Sequence, residues 1–322
     1  MVLIILPLVL FIVLLEMSVG GMSVMVFLDW RNEVKKGFLI SHALFYLLVI
    51  GLTYLFQQNF ATVPLLSSFA MLDHAWTGYQ GTSLLLFFLL TIPYSLFLML
   101  DRNIGGDGSE KAQKEKAEGQ EAPRLSILRI LRLVSGALMV IAGLATLLVT
   151  SMIFRPLGGS SFGGAFLVLS FFAAAFALGG VMTAMWLGHW YLVTPALSEK
   201  PLLFSTTLVL TAIVIQVVLG ILAGPTSASA LQASIHATSH AVANAPSVKP
   251  ANAPVVTPLS TDAIGWIRIF VSFALPLILG GLTWKLVRER SFQAATGMLY
   301  LIVVLTLAGE AMARGLFLVG LS

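Results

Sequence analysis

Two residues near the end of the chain, Glu310 and Arg314, stand four apart in an otherwise apolar run, 301–320. That spacing puts both on one helix face. The run is long enough to cross a bilayer, where a buried charge costs roughly 2.5–3.5 kcal/mol on insertion scales. Both side chains should therefore face the inside of a helix bundle. There they either neutralise each other and lock helices together, or line a polar ligand site or a proton path. Of the fourteen acidic residues, only Glu16 joins Glu310 inside a predicted span. Glu16 falls near mid-membrane and Glu310 slightly outward of the centre of its helix. At similar depths the two can share a proton, or share Arg314.

The histidines offer a second kind of chemistry. A haem b in a bundle needs two imidazoles from different helices at one depth. His42, inside the second span, and His189, in Trp186-Leu-Gly-His-Trp-Tyr191, are the two in or beside spans. His189 is placed nearer the surface, so haem b on this pair is the alternative and a haem-free subunit the expectation. A quinone headgroup needs less, one or two donors beside an apolar slot. His74 follows Asp73 in an outer loop, a pairing suited to accept a proton released to the outside, or simply a solvated loop histidine. His236 and His240 stand four apart without a third ligand, so no metal site is expected. Phosphate-binding loops, dinucleotide fingerprints and nucleophile elbows are absent. With no cysteine, disulfides, thiolate-bound zinc and iron–sulfur ligation by this chain are excluded.

The elements that must position these residues are helices. The chain has 322 residues, is 58% hydrophobic and 10% charged, and has a mean hydropathy of +0.97. That is a polytopic all-α membrane protein, one membrane domain over 1–322. Eight runs meet the length for a hydrocarbon core: 3–28, 37–56, 82–100, 127–152, 162–190, 202–223, 264–287 and 294–319. Fourteen of the eighteen basic residues fall in alternate loops or just inside them, the exceptions being Arg155, Lys249, Arg268 and Arg314. The positive-inside rule makes those loops cytoplasmic and puts both termini outside. It also accounts for the basic balance without nucleic acid. Residues 103–123 read as a disordered cytoplasmic loop and 224–262 as an outer loop. Gly20-Gly21, Gly179-Gly180 and Gly280-Gly281 predict close helix packing.

Several stretches resemble one family. Leu307-Ala-Gly-Glu310-Ala-Met-Ala-Arg314-Gly-Leu-Phe317, Leu231-Gln-Ala-Ser-Ile-His236, Trp266-Ile-Arg268-Ile269, Ala177-Leu-Gly-Gly180 and Val19-Gly-Gly-Met22 resemble the membrane-anchor subunits of the bacterial dimethyl sulfoxide reductase family. Those are related to polysulfide-reductase-type quinone-interacting subunits. Where the family has a His-Leu-Gly motif followed by Pro and Arg, this chain reads Leu72-Asp73-His74-Ala-Trp76.

The resemblance implies a non-catalytic anchor in a bacterial inner membrane. It would bind menaquinone or ubiquinone and exchange electrons with an iron–sulfur subunit and a molybdopterin catalytic subunit. The expected headgroup site lies in the outer half of the bundle, among His74, Asp73, Arg268, Glu310, Arg314 and Glu16. The competing readings are a haem b cytochrome subunit and a small transporter or channel.

Overall fold

In the computed structural model, residues 2–101, 127–194, 198–223, 267 and 269–319 are described. The expected loops at 103–123 and 224–262, the His236/His240 pair and Arg268 lie outside them. The described residues form helices and turns, with no strand among them. The helices are α1 (Val2–Arg31), α2 (Lys36–Phe60), α3 (Val63–Ser67), α4 (Thr77–Leu100), α5 (Ile127–Phe154), α6 (Ser161–Val193), α7 (Lys200–Ala223), α8 (Leu275–Arg288) and α9 (Phe292–Val319). A π-helical turn, Phe270–Ala274, leads into α8. All but the short α3 belong to eight segments long and apolar enough to cross a membrane.

Short connections make α1 and α2, α5 and α6, and α8 and α9 antiparallel neighbours. Contacts close α1, α2, α4 and α5 into one four-helix bundle and α6, α7, α8 and α9 into a second. The two join where the first helix of each, α1 and α6, pack together, with α9 also against α1. α1 is the hub: 78% of its most apolar stretch is buried, against 28–56% for the other spans.

The α1–α6 crossing follows from small residues. A Cβ on Gly20 would fall 1.7 Å from the Ala175 carbonyl oxygen, and one on Gly179 2.0 Å from the Gly21 nitrogen. Backbone thus lies on backbone, as the two Gly-Gly pairs predict. The third pair behaves differently. Gly280 meets the Leu210 side chain, while Gly281 faces open space.

At the end carrying the turns at 32–35 and 289–291, here termed the inner end, α1 continues past its predicted limit. Asp29 therefore lies inside the helix and is fully buried. Its Oδ2 meets Arg132 Nε at 3.0 Å and accepts from the Tyr94 hydroxyl at 3.1 Å. Arg132 Nη1 also donates to Asp101 at 2.8 Å. Lys36 Nζ bonds the carbonyls of Met99 and Asp101, satisfying the end of α4.

The basic bias fixes an expected orientation. In a chain that has no natural cysteine, Ser68→Cys should react with an impermeant maleimide applied outside intact cells. Ser291→Cys should react only after permeabilisation. The reverse pattern would invert the topology.

Candidate functional site

A buried charged cluster sits where α1, α6, α7 and α9 meet. Arg314 Nη2 donates to Glu16 Oε1 at 2.5 Å and lies 3.8 Å from Glu310 Oε2. Gln216 Nε2, from α7, donates to Glu310 Oε1 at 2.5 Å. The Arg314 guanidinium carbon rests 4.0 Å from the centroid of the Phe171 ring, on α6. Glu16, Glu310, Arg314 and Gln216 are all at most 9% exposed. Two carboxylates face one guanidinium, so charge neutrality requires one further proton or a cationic ligand.

The cluster is not saturated. Among the described residues, Glu16 Oε2 and Arg314 Nε are buried without a hydrogen-bond partner, and so are Thr306 Oγ1 and Ser272 Oγ. Thr306, Glu310 and Arg314 recur every four residues along one face of α9. Ser272 packs against Gly309, the neighbour of Glu310, and belongs to the π-helical turn. Elsewhere in these helices, buried hydroxyls bond the carbonyl four residues back, as Thr283 does to Leu279 and Thr296 to Phe292. Unpartnered polar atoms inside an apolar bundle call for an occupant such as water or a polar ligand. The cluster itself offers a carboxylate acceptor and a guanidinium donor, with the Thr306 hydroxyl one helical turn from Glu310 and Ser272 against Gly309.

Of the residues expected to share a site, the structure brings together Glu16, Glu310 and Arg314. Asp73 and His74 stand elsewhere, in the turn before α4. The Asp73 amide donates to the Ile153 carbonyl at 2.9 Å, and its Oδ1 accepts from the Ala75 amide at 3.1 Å. Asp73 lines an open groove of about 450 Å³ with Arg155, Pro156, Gly159, Ser160 and Ser161. His74 is exposed and does not line it.

His42 is fully buried, stacked on Phe38 at 5.2 Å and edge-on to Tyr46 and Trp186. The Thr183 hydroxyl lies 2.8 Å from the Gly179 carbonyl and 3.3 Å from His42 Nε2. His189 is exposed, and no hydrogen bond or ring contact joins it to His42.

Gln216, Ser272, Thr306 and Phe171 are not among the site residues expected from the sequence. Gln216 did leave a signal, a lone amide within the apolar run 202–223. The hydroxyls and the phenylalanine left none, because such residues are ordinary in membrane helices.

No family model matches the chain, and no curated protein is significantly similar to it.

Proposed function

We propose that this chain is the membrane-anchor, quinone-interacting subunit of a respiratory oxidoreductase complex of the molybdoenzyme type, in a bacterial inner membrane. It exchanges electrons between menaquinone or ubiquinone and an iron–sulfur partner that serves a molybdopterin subunit. One observation carries the reading: a buried, charged and unsaturated cluster, built on the Glu310–Arg314 stretch that resembles that family. Glu16 Oε2 suits a quinol hydroxyl as acceptor, and Arg314 Nε suits a quinone carbonyl as donor. Quinol oxidation delivers two electrons and two protons. The chain has no thiolate to hold an iron–sulfur cluster, so the electrons pass to the partner, while Glu16 and Glu310 are placed to take protons. The enclosure of His42 among aromatic rings and the exposure of His189 give the haem b alternative no support.

Tagged protein from native membranes should bring down a partner containing iron and molybdenum, and the complex should oxidise a quinol analogue. Glu16→Gln keeps the shape but removes the base. It should lower turnover roughly 100-fold, within the range general-base removal produces, with assembly intact. Wild-type turnover in both Glu16→Gln and Arg314→Lys complexes would place the site elsewhere.

A second reading has one observation in its favour. The polar cluster lies at the junction of two four-helix halves arranged in parallel order, a plan also used by transporters. Substrate-dependent uptake into liposomes by the purified chain alone, with no metal-containing partner, would favour it.

A further inference from the structure

We propose that the groove at Asp73 and Arg155 is the water-side mouth of the buried cluster, and that the stacked rings of Phe154 and Phe171 are the barrier between them. This rests on the proposed function, and it adds the route by which protons leave.

The parts form a continuous chain. The Arg314 guanidinium lies on the Phe171 ring. Phe171 stacks on Phe154, with centroids 6.1 Å apart and planes 14° from parallel. Both phenylalanines are fully buried. Phe154 ends α5, and the next residue, Arg155, begins the turn that lines the groove. Asp73 is held to the same corner by its hydrogen bond to the Ile153 carbonyl. The turn has local causes. Gly159 takes a left-handed φ of 71°, which favours glycine. Ser160 then caps α6 by accepting from the Gly163 amide at 3.0 Å. Gly164, in the first turn of α6, lies so close to Arg155 that an added Cβ would stand 2.9 Å from its Cγ.

The opposite direction is closed by something stiffer. One turn inward of Phe171, about 6 Å along α6, Ala175 meets Gly20 backbone to backbone. That crossing cannot part without separating the two bundles. Two aromatic rings need only change rotamer, a nanosecond-scale event for free side chains and a slower one in a core. Of these two directions the rings open more readily, so the proposed route to water runs through them. A quinol oxidised at the cluster gives its two electrons to the partner's iron–sulfur centre and its two protons, one after the other, to the carboxylate that is ionised, each proton leaving before the next arrives. When the rings part, water carries each proton from the cluster to the Asp73 carboxylate and on to bulk.

The absence of cysteine makes the route directly measurable. Gln216→Cys is reconstituted as the full chain in proteoliposomes and treated with a cationic methanethiosulfonate reagent from the groove side. The introduced thiol should react slowly. Phe154→Ala should raise the rate roughly tenfold, the scale of one lost aromatic contact. Ser161→Trp changes an exposed residue lining the groove and endangers folding little; it should slow the reaction severalfold by filling the mouth. A rate unchanged by Ser161→Trp overturns the proposal, as does a thiol that stays unreactive in the Phe154→Ala background. Quinol turnover is not read here, so this result and that of the turnover test stand or fall separately.

Discussion

Arg314→Ala should destabilise the folded protein by about 3–5 kcal/mol, the usual loss when one member of a buried ion pair is removed. Glu16 has no other ion-pair partner among the described residues, and its second oxygen already lacks one. The truncation would leave two carboxylates facing each other inside the bundle. Glu16→Ala should cost less, because Arg314 keeps Glu310 at 3.8 Å. The double variant Glu16→Ala/Arg314→Ala should recover part of the loss, since it removes one of the two carboxylates that Arg314→Ala leaves facing each other, while Glu310 stays buried with Gln216 as its hydrogen-bond partner. Reversible denaturation in lipid micelles, analysed as a double-mutant cycle, measures all three. A loss below about 1 kcal/mol for Arg314→Ala would mean the pair behaves like an exposed one, reached by solvent.

Gly20→Ala should cost about 3 kcal/mol or more, at the upper end of overpacking effects. The new methyl would overlap the Ala175 carbonyl, with its oxygen 1.7 Å and its carbon 2.4 Å away. Neither atom belongs to a side chain that can turn aside, so α1 must move away from α6. Glu16 stands one turn from Gly20 on the same helix, so its bond to Arg314 should weaken with the crossing. Gly281→Ala is the control. Nothing lies within 4 Å of its Cβ position, and helix propensity alone predicts a gain of up to about 1 kcal/mol. Equal stabilities for the two variants would show that the α1–α6 crossing is not the close contact described. The comparison matters because both glycines sit in Gly-Gly pairs that read alike in the sequence.

The eight apolar spans and the inward-facing charges are legible in the order of the amino acids alone, since both follow from local properties. A run of sufficient apolar length must be helical in lipid, and a charge inside such a run must turn away from it. Glu16, Glu310 and Arg314 were legible for that reason, and their meeting needed only similar depth. The remaining features depend on which helix faces which. Asp29 falls just past the predicted first span and Arg132 near the start of the fourth, yet α1, α4 and α5 enclose them with Asp101 in a buried network. Asp73 shared a predicted site with Arg314, but the turn before α4 ties it to the end of α5. Between Phe171 and the two residues it links, Arg314 and Phe154, the sequence separations are too long for any periodicity to report. Hydrophobic patterning specifies that a face is buried, whereas the partner of that face is set by shape: here, by the glycines that let α1 and α6 touch and so bring the two bundles onto one cluster.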